Sequence, residues 1–356
     1  MKLCLAILLL VTITGGQSHF SDVPLDNPFT SFAAPPVRAK TVSGKVLATI
    51  RNGDLVHPTF SPDGRVLAYS NVLSRGDSES TEVLLYDLSG RKASVLLDSK
   101  RAEKYATYKT FVAGMEWRSP RRLEVLLGDG DVDLTRLIFD PRGRKLLRER
   151  DGAFDETEAQ PMPPTYVKAR RQAVSLFPAF PQAVLDNALR NTALVIPDRG
   201  IVLQKNYAGH DDNVWFLDFQ SGAVKPLITL SADSPRAFGG GVAFNSSIIL
   251  LLSHGQKAYL FLYRDGKIRG LGEFDSAGPG RVEVKHLSPS RVIFLVRTHA
   301  DYERGDNPLF VFDGAQLFRV KVQAELYDAA VDPGGRRIAL CHWAGGERHL
   351  VVKDLN

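Results

Sequence analysis

The chain has 356 residues, 44% of them hydrophobic and 24% charged, and a net charge of +5. That apolar share is enough for a large core. The 45 basic residues are dispersed among 40 acidic ones, which excludes a dedicated nucleic-acid surface.

Residues 1–18 read as a signal peptide. Lys2 precedes an apolar run over 3–13, and Gly16-Gln17-Ser18 places small residues where a signal peptidase cuts. The run is shorter than the roughly 20 residues that span a bilayer, so no transmembrane segment is expected once it is removed. The predicted location is periplasmic or secreted. Cys341 is then the single cysteine of the mature chain and is expected buried in a strand. Residues 19–43, broken by Pro24, Pro28, Pro35 and Pro36, read as an extended leader, and 44–50 reads as a strand with no partner before it.

The stretch over 56–97 sets the pattern that the rest of the chain repeats. Thr59-Phe60 and the strand over 66–70 flank the turn Ser61-Pro62-Asp63-Gly64; strands over 83–87 and 93–97 flank Leu88-Ser89-Gly90. Proline presets φ and glycine supplies a positive φ, so both interruptions have turn chemistry. The polar run over 73–82 between the halves reads as a loop. Four strands in about 40 residues match one blade of a β-propeller.

The first turn recurs at Ser119-Pro120, Pro197-Asp198-Arg199-Gly200, Asn245-Ser246-Ser247, Ser288-Pro289-Ser290 and Asp332-Pro333-Gly334-Gly335, each time before an apolar strand. The sixth unit ends at residue 356 without its fourth strand, and 44–50 is the strand left over. The fold expected for 44–356 is therefore all-β: a six-bladed β-propeller of four-stranded antiparallel blades, closed by an N-terminal strand that completes the last blade.

The S-P-D-G-R-V-L-A-Y turn over 61–69 and V-L-L-Y-D-L-S-G-R over 83–91 resemble the repeat of TolB-like six-bladed propellers, a WD-like repeat also found in the propeller domains of prolyl-oligopeptidase-type enzymes. The resemblance implies binding roles in the periplasm or outside the cell. No G-x-S-x-G nucleophile turn occurs in the sequence.

The widest interval between turns runs from Pro120 to Pro197, which marks an insertion at about 151–191 whose regular element is a short amphipathic helix over 181–191 carrying Leu185 and Leu189. In a propeller the insertion shares a face with the loops over 73–82, 128–133, 205–212, 299–307 and 342–347. The candidate binding residues are His210, Asp211, Asp212, His299 and Tyr302 on those loops, His57 and His286 before the first turns of two units, and Leu185 and Leu189 on the helix. No catalytic residue, metal ligand or cofactor is assigned, because two histidines on six units do not make a converging set. The expected function is a monomeric, non-enzymatic propeller that binds a protein or peptide partner through its loop-rich face. The competing reading is a metal-assisted lyase or hydrolase working in the central funnel.

Overall fold

A computed structural model describes residues 36–41, 46–51, 54–75, 78–105, 110–129, 133–143, 145–153, 164–204, 213–228, 237–276, 278, 280–298, 307–322, 325–344 and 347–355. Residues 1–18, expected to be a signal peptide, and most of 19–43, expected to be an extended leader, lie outside the described residues.

The described residues begin with two short strands, β1 (Ala39–Thr41) and β2 (Val46–Arg51), that pair far along the sequence. Next, β3 (Asp54–Phe60), β4 (Val66–Arg75), β5 (Ser78–Asp87) and β6 (Lys92–Leu97) form a meandering antiparallel sheet. After helix α1 (Ser99–Ala102), the pattern repeats with β7 (Thr110–Ser119), β8 (Arg122–Asp129), β9 (Asp133–Asp140) and β10 (Lys145–Ala153). Helices α2 (Pro164–Leu176) and α3 (Gln182–Asn191) precede β11 (Leu194–Ile196), β12 (Gly200–Gln204), β13 (Val214–Asp218) and β14 (Ala223–Ile228). The fourth sheet holds β15 (Ala237–Phe244), β16 (Ser247–His254), β17 (Lys257–Arg264) and β18 (Lys267–Asp275). The fifth holds β19 (Arg281–Leu287), β20 (Val292–Arg297), β21 (Leu309–Phe312) and β22 (Leu317–Lys321), with β1 added parallel to β22. In the sixth, β23 (Glu325–Val331), β24 (Arg337–Ala344) and β25 (Glu347–Asp354) are joined by β2.

The turns hold these meanders by local chemistry. Ser61 Oγ donates to Asp63 Oδ1 at 2.6 Å and accepts from the Val66 amide at 3.0 Å, while Gly64 adopts φ +67°. In the last sheet Asp332 Oδ1 accepts from the amides of Arg336 and Arg337 at 2.6 and 2.9 Å, and Gly335 takes φ +64°. The second turns use a leading aspartate: Asp87 Oδ1 takes the Ser89 and Gly90 amides, and Asp313 Oδ1 those of Ala315 and Gln316. Such side chains satisfy backbone donors that a two-strand ladder leaves over.

The chain divides into two compact units. In the smaller, Leu185 and Leu189 of α3 are 2% and 4% exposed, α3 packs with α2 and β12, and Arg170 grips Asp186 through two bonds of 2.6 and 2.8 Å. In the larger, the first strands of five sheets lie side by side in the order β15, β19, β23, β3, β7. Its core sits between successive sheets. Phe244, Leu260, Phe294 and Phe310 fill one gap, Ile293, Leu295, Ile338 and Leu340 the next, Tyr69, Tyr327, Cys341 and Leu350 the third, and Val83, Leu97, Leu123 and Phe139 the fourth. Cys341 is free and buried there. Polar ties cross the same gaps: Arg337 donates to the Gly64 carbonyl at 2.8 Å, and Trp117 Nε1 to that of Thr59 at 3.3 Å.

Several expectations shift in extent. The polar run over 73–82 is a hairpin rather than a loop, since β4 and β5 pair as far as Arg75 and Ser78. The run over 342–347 behaves alike, with Ala344 opposite Glu347, and Asp129 faces Asp133 in the run over 128–133. Strand pairing needs only backbone groups, so a ladder continues past the apolar residues that mark its buried part. Asp151 belongs to β10, opposite Thr135, and the insertion carries α2 as well as the expected helix. Of the leader, 36–41 lies on the sheets: the Val37 amide donates to the Glu273 carbonyl at the edge of β18, and the Arg319 amide of β22 donates to the Arg38 carbonyl.

β2 runs antiparallel to β25, with Val46 opposite Lys353 and Ile50 opposite Leu350. A chain lacking residues through 51 should melt about 5 °C lower than one lacking residues through 44, and should aggregate through the bared edge of β25. Equal melting temperatures in calorimetry would show that this pairing adds no stability.

Candidate site: a charged cavity on the first strands

The first strands of the larger unit share an irregularity. Each slips register against its second strand: between Val56 and Thr59, Val112 and Gly114, Phe238 and Gly241, Val284 and His286, and Leu326 and Asp328, with a further slip in β7 between Trp117 and Ser119. A bulge leaves surplus residues outside the ladder and bends the strand, which re-aims side chains. The surplus residues here are His57 with Pro58, Ala113, Gly239 with Gly240, Lys285 and Tyr327. His57 sits at φ +54°, a region few non-glycine residues occupy.

Four of these strands wall a cavity of about 1190 Å³. β3 contributes His57 to Phe60, β7 Phe111 to Met115, β19 Arg281 to Lys285 and β23 Tyr327 to Val331, with Val72 and Arg297 from β4 and β20. Apolar residues also line it: Phe111, 38% exposed with its ring over Gly128 of β8, and Val284, 44% exposed.

One charged group organises the wall. Asp328 is 6% exposed, and its Oδ1 accepts from Arg297 at 2.8 Å, from Lys285 Nζ at 3.2 Å and from the Ala329 amide at 2.8 Å. Glu283 binds the same two cations from the other side, at 2.9 Å from Arg297 Nε and 2.8 Å from Lys285 Nζ. Arg297 also donates to the Tyr327 carbonyl at 2.6 Å, which Asn307 Nδ2 shares at 2.9 Å. Burial pushes the Asp328 carboxyl up, but Lys285 and Arg297 outweigh it and hold the group below the usual carboxylate range. Burial likewise opposes the charge on Arg297, yet Asp328 and Glu283 raise its pKa. For half-buried His57, desolvation prevails over the attraction of Asp328, with Arg297 and Lys285 adding to it, and the ring is neutral at pH 7.

The expected site residues separate. His57 lines the cavity beside Asp328. His286, on β19, does not. It lies under the turn of the neighbouring sheet, where a Cβ on Gly335 would fall 2.6 Å from its Nε2, and Arg291, which bonds the Gly335 carbonyl, stands beside it. Leu185 and Leu189 are buried by α2 and β12, so they hold the helix down and are closed to a partner. His210, Asp211, Asp212, His299 and Tyr302 lie outside the described residues. Among the described residues no three His, Cys, Asp or Glu side chains converge as metal ligands.

Glu283, Lys285, Arg297 and Asp328 escape a reading of the sequence alone. A usable signal is present at Asp328, which interrupts the run Leu326-Tyr327-Asp328-Ala329-Ala330-Val331 that otherwise reads as core, and a charge in such a run must find a partner.

No family model matches this chain. No curated protein matches it either. Among solved structures it is similar to the β-propeller domain of the Trilobed protease from Pyrococcus furiosus, at 14% identity and a TM-score of 0.32, covering 85% of this chain and 81% of that one. It is also similar to an oligogalacturonate lyase in complex with manganese, at 10% identity and a TM-score of 0.44 over 90% and 98% of the two chains. A chain of the mitotic checkpoint complex gives 12% identity and a TM-score of 0.42 over 89% and 96%. Likenesses this weak carry nothing about activity.

Two outcomes are expected from the charges. Asp328→Asn strips two buried cations of the buried one of their two shared anions and should cost about 3 kcal/mol, read by urea unfolding; a loss within error of zero would show the cluster to be solvated. Because the folded pKa of His57 lies below its unfolded value near 6.5, its contribution is intact above that value and is lost as the pH falls through it. Unfolding free energy should therefore drop between pH 7.5 and 5.5, and His57→Gln should flatten that drop. His286 and His342, also shifted down by burial, keep part of the slope.

Proposed function

We propose that this chain is an exported six-bladed β-propeller of the TolB-like pattern, closed by β2, and that it is a non-enzymatic binding module for a protein or peptide partner. Six meandering sheets support the blade number, and the β2–β25 pairing supports closure. The signal-like segment over 1–18 supports export.

The observation that carries the binding reading is the cavity wall. General acid–base chemistry needs a group that changes charge near the working pH. Asp328 is held ionised and Arg297 protonated by one another, so the wall offers a fixed charge pattern between apolar strips. A fixed pattern of this kind suits recognition of a ligand. The alternative, a metal-assisted lyase or hydrolase in the same cavity, would draw on His57, the neutral ring beside Asp328.

The test is capture. The mature chain, immobilised, is exposed to an envelope or secreted fraction of its source cell and eluted with excess free chain. A saturable partner retained by the wild type and lost on Val284→Asp is expected. Absence of any such partner, together with one tightly held divalent ion per chain and a turnover that chelator abolishes, would replace binding by catalysis.

A further inference from the structure

Among the residues that line the cavity, His57 is the one whose type changes charge between pH 5 and 8. The charged lining residues, Arg281, Glu283, Lys285, Arg297 and Asp328, are of types that keep their charge over that range. Tyr327 and Cys341, packed together in the adjoining gap, are pushed up by burial and stay neutral. A single ring therefore decides how the charge of the wall responds to acid.

The fold puts that ring where a proton on it is felt. His57 is a surplus residue of the β3 bulge, at φ +54°, and stands outside the ladder on the cavity wall. The Val112 carbonyl of β7 takes one ring N–H, which that nitrogen carries in either protonation state, so the proton gained or lost is the one on the other nitrogen. Burial lowers the pKa of the ring, Asp328 of β23 pulls it back up, and Arg297 of β20 and Lys285 of β19 lower it further. In the empty cavity the ring thus takes its proton below the ordinary value near 6.5. At neutral pH the fixed pattern described above holds. On acidification the wall gains one positive charge, whatever the total of the other groups.

We infer that His57 is a proton-operated switch of the cavity: as its ring is protonated, the cavity holds anionic ligands, acidic side chains of a polypeptide among them, more tightly. This rests on the binding reading above and adds the regulation of that site. An anion within about 4–6 Å of a titrating group moves its pKa by about one unit or more toward the charged form. Coupling between two binding events is reciprocal, so the proton strengthens the anion by the same factor, about tenfold for one unit. The sign follows from the two pKa values. Affinity is lowest above the pKa of the occupied cavity, climbs as the pH falls through it, and levels off below the pKa of the empty one.

Two fluorescent probes test this on the full mature chain: 8-anilinonaphthalene-1-sulfonate, and N-phenyl-1-naphthylamine, which has the same rings without the sulfonate. Each is titrated between pH 7.5 and 5.0, with circular dichroism recorded at every pH. The sulfonate should bind about tenfold more tightly at pH 5.0, while the uncharged probe stays constant within about twofold. His57→Gln and His57→Asn should both hold the sulfonate at its pH 7.5 affinity; asparagine tolerates the positive φ, which keeps the second variant folded if the first is not. His286→Gln, away from the cavity, should leave the rise in place. Val284→Asp, on the exposed wall, should weaken both probes at every pH and so locate them in the cavity. An equal rise for both probes, a rise that survives in the folded His57 variants, binding indifferent to Val284→Asp, no binding of the sulfonate, or loss of native dichroism above pH 5.0 would each overturn the switch. A partner captured equally at pH 7.5 and 5.0 would refute it and leave the binding reading standing. Failure of capture at both would remove that reading as well.

Discussion

A carboxylate taken out of water must find its donors inside the protein, and Asp328 finds them on neighbouring strands. Its two cations come from β19 and β20, and His57 reaches it from β3. Removing the carboxylate or either cation leaves the others charged in a poorly solvated place, which ties the fifth and sixth sheets to a single geometry. The hydrophobic gaps between sheets are non-directional and would tolerate small slips. The cluster around Asp328 would not, because its bonds have fixed lengths and angles.

Turn chemistry is the legible part of the sequence. Pro62, Gly64, Asp87, Asp332 and Gly335 each have a local reason to stand where they do, and the structure uses each of them as a turn residue. Strand ends are less legible, since Ser78, Ser80 and Glu82 pair through backbone atoms that every residue shares. The helix α2 stays hidden because it buries little more than Ala169 and Ala173, too small a stripe to stand out by periodicity. Leu185 and Leu189 point to the right helix, and both are buried on it. An apolar face states that something covers it and leaves open whether the cover is the same chain.

The wall of the cavity is legible only at His57. Alternation along a strand assigns each residue to a face, and a bulge breaks that rule at one position without leaving a mark in composition. Lys285 therefore looks like an outward residue of an ordinary strand. Its partners Glu283, Arg297 and Asp328 are separated from one another in the sequence and meet only through the sheets.

The same bulges give the inner strands a further property. In an unbroken ladder, each side chain is tied to the residue across from it, and changing its size or charge disturbs a pair. The residues left over at the bulges, His57, Ala113, Lys285 and Tyr327 among them, have no direct counterpart on the second strand. Substituting His57 or Ala113 changes what the cavity presents while the hydrogen-bond ladder on either side keeps its alignment, whereas Tyr327 belongs to the core and Lys285 holds Asp328. At those two positions the scaffold separates what the cavity wall shows from what keeps the sheets in step, so that the wall can vary on an unchanged frame.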